Sequence, residues 1–223
     1  MAAMGTLSAG GSGRLGAVVA IKPLRQAKSR LATIPGPLRR DLVWAMLLDT
    51  VRLLSAEART VIVTAEPGLG ERLAQHGQSV DVIEEAAPAG LNQALRHGAE
   101  TLRQWGIRDV MACVADLPAL RPESLRAVIT AARSYPRSFL ADADGVGTTM
   151  LFAHGAELDP RFGPGSAAAH RAGGAVDLLD EAIGRPVPDA RRDVDTPDDL
   201  AEITRFGVGP ASRAAIAALA EIA

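Results

Sequence analysis

Apolar residues recur along this chain in two rhythms that alternate. Short continuous runs, rich in β-branched residues, occupy 16–21, 60–64, 80–83, 109–115, 138–141 and 147–153. Runs of this length bounded by turn signals predict strands. Between them the spacing turns helical. Leu38, Leu42, Val43, Met46, Leu47 and Val51 predict a helix over 37–55, with Pro37 in its first turn. Further helices are predicted up to His76 and over 90–105, 122–133 and 210–222, with a small-residue helix after 166. Thr196-Pro197-Asp198-Asp199 supplies a cap, a proline at the first helical position and acids in the first turn, so a helix starts there. Residues 22–36 read as a loop with room for one helical turn.

Strand followed by helix, repeated, predicts an α/β protein: a mostly parallel sheet with helices on both faces. No internal repeat is visible. The 223-residue length suits one domain, placed at 15–223, after a Gly/Ser-rich stretch at 1–14 expected to be a flexible tail.

Composition narrows the function. At 48% hydrophobic the chain can fill a core. The 24 basic residues are balanced by 26 acids, a net charge of -2, so no global basic field invites nucleic acid. One cysteine, Cys113, excludes an internal disulfide framework. No apolar run approaches a membrane span and the N-terminus lacks signal-peptide character, so a cytoplasmic protein is expected.

Candidate chemistry sits where predicted strands end. Asp116 closes the 109–115 run, and Asp193 and Asp195 stand two apart before Thr196-Pro197. On an extended segment residues two apart point to one side. Carboxylates gathered at strand ends repel by about 4 kcal/mol per pair near 4 Å at an effective dielectric of 20. Mg²⁺ relieves such repulsion and is commonly held by one or two carboxylates plus substrate phosphates. Each acid alone also fits a plain turn or cap. The stretch Lys22 to Arg30, with Lys28 inside it, follows the first strand and could hold a polyphosphate or be a solvated basic loop. Gly10-Gly11-Ser12-Gly13-Arg14 looks like a phosphate loop but precedes the first strand, the wrong place for one. Trp44 and Trp105 lie on predicted helices and are expected to pack. Asn92, at a helix start, is either a cap or a nucleotide contact.

At these positions the chain resembles the guanylyltransferases that activate phosphoenolpyruvate or 2-phospho-L-lactate for coenzyme F(420) biosynthesis. The matching segments are 20–31, 90–95, 116–120, 145–149, 161–166 with His170, and 193–197. Ala115, where glycine is expected, and an acidic 142–145 turn depart from the pattern. The resemblance implies a Rossmann-like nucleotidyltransferase fold with GTP as donor. It implies Mg²⁺ on Asp116, Asp193 and Asp195, and a triphosphate steadied by Lys22, Lys28 and Arg30 with Asn92 nearby. It further implies a phosphorylated three-carbon acid, phosphoenolpyruvate favoured, against Thr148, Gly163 and Ser166. A cytidylyltransferase, a nucleotide-sugar glycosyltransferase or a regulatory GTP-binding module remain open as alternatives.

Overall fold

A computed structural model describes residues 15–85 and 90–221. The predicted tail, with its glycine cluster, lies outside the described residues. The strands are β1 (Leu15–Ile21), β2 (Arg59–Thr64), β3 (Asp81–Glu84), β4 (Asp109–Cys113), β5 (Arg137–Ala141), β6 (Thr148–Ala153) and β7 (Val176–Asp177). The helices are α1 (Gly36–Glu57), α2 (Leu69–Gln75), α3 (Leu91–Gln104), α4 (Pro122–Ala132), α5 (Ser166–Ala172), α6 (Asp180–Ile183), α7 (Pro197–Phe206) and α8 (Pro210–Ala220). Two 3₁₀ turns, Leu24–Gln26 and Ser29–Leu31, fill the loop after β1. β7 and α6 are additions to the elements the sequence pattern predicts, and β4 ends two residues earlier, at Cys113.

The seven strands form one sheet in the order β3-β2-β1-β4-β6-β5-β7. β1, β2, β3 and β4 pair in parallel. β6 runs antiparallel to both β4 and β5. The tight connection 142–147 joins β5 to β6, and a connection that short can join only antiparallel neighbours. The chain runs outward from β1 through β2 to β3, then returns to place β4 on β1's other side. The crevice over the carboxyl ends of β1 and β4 is therefore a topological switch point, where ligands bind in open α/β sheets.

Alternate residues of the central strands feed opposite layers, as a period of two demands. Ala17, Val19, Ile62 and Met111 join α1 and α4 side chains in one cluster. Val18, Val61, Val63 and Val110 face the other way, against Ala94, Leu95, Ala99 and Leu102 of α3. Burying each such aliphatic side chain contributes about 1.5–3 kcal/mol. A one-residue slip would reverse every one of them, so the core fixes the register. α3 sits so close to the sheet that a Cβ on Gly98 would lie 2.4 Å from Val18 Cγ1. A third cluster joins Leu31, Leu42 and Met46 to Val194, Ile203 and Val208, seating α7 and α8 beside α1. Trp44 is buried under the Arg72 guanidinium, 3.9 Å above its ring. Trp105 is half-exposed, covered by Arg59.

Candidate active site

Three carboxylates far apart in sequence converge beyond the ends of β1 and β4. One oxygen from each of Asp116, Asp193 and Asp195 lies within 4.8 Å of the others. Local structure aims each one. Asp116 follows β4, and the next residue, Leu117, is buried with its N–H donated to Thr50 Oγ1 at 3.1 Å. Val194 is fully buried, so its two neighbours turn to the opposite side, toward Asp116. Asp199 Oδ2 accepts from Asp195 N at 2.9 Å and Thr196 N at 2.7 Å, while Thr196 Oγ1 accepts from Asp199 N. This capping box at the start of α7 locks the backbone that carries Asp195.

Burial, then the charges of Asp116 and Asp195, raise the Asp193 carboxyl to about 7, with Lys28 pulling the other way. Crowded carboxylates with oxygen donors only are a donor set that suits a hard divalent cation.

Lys28 is the cation the structure puts on these acids. Its Nζ donates to Asp116 Oδ2 and, at 2.5 Å, to Asp195 Oδ1. Burial works to lower its pKa, but Asp116 and Asp195 together outweigh that and hold it above the ordinary lysine value. Among the described residues Lys28 is the non-glycine residue with positive φ, at 54°. For such a residue this backbone state is uncommon, and local strain of this kind gathers at functional sites. Arg30 Nη1 stands 3.7 Å from Asp195 and is mostly exposed. Lys22 is exposed at the end of β1.

These groups border a cleft of about 630 Å³ that runs from Asp116 and Asp195 along the loop after β1 to Leu91 on α3. That volume matches a small-molecule site. Cys113 touches it, but burial pushes its thiol up, away from thiolate chemistry.

Thr148, Gly163 and Ser166 gather beside the cleft rather than lining it. Gly163 has φ 134° and Gly165 φ 71°, turning the chain sharply before α5. Ala167 N donates to Val146 O at 3.0 Å, tying this loop to the turn before β6. That turn is held by Asp142, whose carboxylate accepts from Val146 N and Gly147 N at 2.9 and 2.7 Å. Asp144 in the same turn is exposed. Asn92 does not cap α3, whose N-cap is Gly90 with no side-chain bond. Its amide exchanges two hydrogen bonds with the Phe162 backbone, at 3.0 and 2.8 Å, and so steadies the 161–166 loop.

His170 organises this cluster. It is buried, its Nε2 accepts from Arg161 N at 2.9 Å, and its Nδ1 lies 2.9 Å from Thr148 Oγ1. Burial lowers its pKa to about 4, so the ring is neutral near pH 7. With Nε2 accepting, the ring proton sits on Nδ1 and is donated to Thr148. The threonine hydroxyl is thereby left to donate its own proton elsewhere. In the sequence His170 was a lone histidine in a small-residue helix, and its partners 9 and 22 residues away gave no local signal.

The chain matches the family described as "Guanylyl transferase CofC like" across residues 15–220. It is 44% identical over 206 residues to a phosphoenolpyruvate guanylyltransferase of Mycobacterium sp. (strain KMS), covering 90% of this chain and 91% of that one. To the protein of that name from Mycolicibacterium smegmatis it is 40% identical over 216 residues, covering 95% and 93%. A structure from Desulfovibrio desulfuricans G20, provisionally assigned as a nucleotide-diphospho-sugar transferase, aligns with a TM-score of 0.69 at 15% identity, covering 93% of this chain and 97% of that one. Likeness at that identity speaks for the Rossmann-like nucleotidyltransferase fold alone. The sequence match is near full length and carries more: this chain belongs to the CofC-like guanylyl transferase family.

Proposed function

We propose that this protein transfers GMP from GTP to phosphoenolpyruvate, giving enolpyruvyl-2-diphospho-5'-guanosine and pyrophosphate, as a step of coenzyme F(420) biosynthesis. The observation that carries the reading is the convergence of Asp116, Asp193 and Asp195 at the β1/β4 crevice of a chain 44% identical to a protein of that name. A phosphate oxygen of phosphoenolpyruvate attacks the α-phosphorus of GTP. The bond from that phosphorus to the bridging oxygen breaks, and pyrophosphate leaves with the electron pair. The attacking oxygen is already anionic at neutral pH, so no protein base is required. Alignment and charge neutralisation then supply the rate.

Mg²⁺, held by Asp116, Asp193 and Asp195, would neutralise charge on the phosphates there. Lys22 and Arg30 at the cleft mouth suit the triphosphate. Lys28 is close enough to exchange its carboxylate partners for phosphate oxygens once a cation shares those acids. Thr148, with its hydroxyl proton set outward by His170, suits an anionic acceptor, as do the backbone N–H groups around Gly163 and Ser166. Among the described residues no helix is long and apolar enough to cross a membrane. A buried, unpaired cysteine agrees with a cytoplasmic setting.

The test is product analysis by mass spectrometry after incubating the protein with Mg²⁺, each of the four nucleoside triphosphates and each of phosphoenolpyruvate, 2-phospho-L-lactate and 3-phosphoglycerate. Pyrophosphate together with the diphospho-guanosine of phosphoenolpyruvate is the expected result. Release of nucleoside diphosphate, or turnover with another base, would overturn it.

A further inference from the structure

One acid on the cleft wall has no part in the chemistry above. Glu85 follows the last residue of β3, and its N–H donates to Thr64 O at 2.7 Å, extending the pairing with β2 by one residue. Its side chain is only 13% exposed and lines the cleft. Oε1 lies 3.4 Å from His97 Nδ1 on α3, which holds the carboxylate from one side.

Asp116 and Asp195, the other acids on the cleft wall, serve the phosphate end. Glu85 belongs to the opposite end. β3 and β4 are separated by β2 and β1 in the sheet, three strand spacings or roughly 14 Å. That is the order of the distance from a nucleotide's metal-bound phosphates to the pairing edge of its base. The wall between is apolar: Ala20 of β1, Val63 of β2, and Leu91, Ala94 and Leu95 of α3. Leu91 is 40% exposed, an apolar surface left open in the cleft. A flat aromatic ring and its sugar fit such a wall.

A carboxylate at the far end of that slot repels phosphate and accepts hydrogen bonds without donating any. Among the common bases guanine presents two adjacent N–H donors, N1–H and the 2-amino group, to a pair of acceptor oxygens. Adenine offers a lone pair at N1 in the same place. Cytosine and uracil each offer a single donor beside an acceptor. We infer that Glu85 is the residue that selects guanine, its carboxylate oxygens accepting from N1–H and the 2-amino group. The inference deepens the proposed function and rests on its nucleotide lying with its phosphates at Asp116.

Hypoxanthine isolates the contact, because it keeps N1–H and lacks the 2-amino group. A hydrogen bond to a charged acceptor corresponds to about 10- to 100-fold in affinity. The experiment is calorimetric titration of the full chain, in Mg²⁺ and without acceptor, with GTP and with ITP. Wild-type protein should bind GTP about 10- to 100-fold more tightly than ITP, and Glu85→Ala should bring the ratio near one. Glu85→Gln replaces one acceptor oxygen with a donor and should also collapse the ratio, which decides the matter if the alanine variant does not fold. Equal binding of GTP and ITP by wild type, or an unchanged ratio in the variants, would overturn the role of Glu85. No binding of Mg²⁺–GTP at all would overturn it together with the proposed function. Discrimination that disappears in the variants, with no pyrophosphate formed from any three-carbon acid, would sustain Glu85 and sink the proposed function alone.

Discussion

Replacing Lys28 with methionine should make the protein bind a divalent cation more tightly, even though it removes a cation from the site. The ammonium lies 2.5 Å from Asp195 Oδ1, also touches Asp116, and its side chain is only 13% exposed. It therefore shares its carboxylates with any metal held by Asp116, Asp193 and Asp195. Unit charges about 4 Å apart interact by about 4 kcal/mol at an effective dielectric near 20. Asp195 is 47% exposed and the lysine can swing outward, so much of that ceiling is lost to solvent. About 1–2 kcal/mol should remain, or roughly ten-fold tighter Mg²⁺ or Mn²⁺ binding by titration calorimetry at pH 8. Without metal the variant should unfold more easily, because three acids keep their crowding and lose their counter-charge. The direction with pH follows from the shift. A lysine held above its ordinary pKa contributes stability fully below that ordinary value, so the contribution is present at pH 8 and disappears only in strong alkali. Weaker metal binding by Lys28→Met, or metal-free stability at pH 8 equal to wild type in urea unfolding, would refute the shared-ligand account.

Three other outcomes follow from the same structure. Metal affinity of the wild type should climb as pH rises through about 7, where Asp193 gives up its proton; because a raised carboxyl favours the protonated fold, the metal-free stability of the wild type relative to Asp193→Asn should fall as pH rises from about 4 to 7 and metal should restore it, as thermal melts of both proteins with and without chelator will show. His170→Ala orphans the Arg161 N–H and frees Thr148, costing about 1–3 kcal/mol and raising KM for the acid acceptor while KM for GTP holds; the stability advantage of the wild type over His170→Ala should shrink as pH falls from about 6.5 toward 4, since the unfolded histidine takes its proton first. Gly98→Ala should lower the melting temperature despite alanine's better helix propensity, because its Cβ meets Val18 and Val63 at 2.4 and 3.0 Å and overpacking of this kind costs about 1–3 kcal/mol; a stabilised variant would show that α3 can lift off the sheet freely.

Much of this architecture was written locally. The 110–113 run is β4 because its residues are apolar on both faces, α1 carries helical spacing and a first-turn proline, and α7 carries its own cap. β6 was legible as a strand, but hydrophobic period carries no direction, so its antiparallel place between β4 and β5 had to come from the short connection and the packing. β7 and α6 span two and four residues, too few for any period to register. The three acids were legible as strand-end and pre-helix carboxylates; that they meet was a long-range fact. Lys28 read as a phosphate ligand in a basic loop, while its hydrogen bonds reach partners 88 and 167 residues away. Asn92 and Glu85 likewise take their meaning from the loop and the neighbouring strands, which no local window contains.

Metal-dependent pyrophosphate release from GTP and phosphoenolpyruvate by Asp116→Asn, with folding checked by circular dichroism, tests most directly whether Asp116, Asp193 and Asp195 hold the divalent cation at which GTP is split. Loss of several kcal/mol of transition-state stabilisation, roughly a thousand-fold in rate, is predicted with the fold intact. A folded Asp116→Asn protein that releases pyrophosphate at the wild-type rate and metal dependence would contradict the claim.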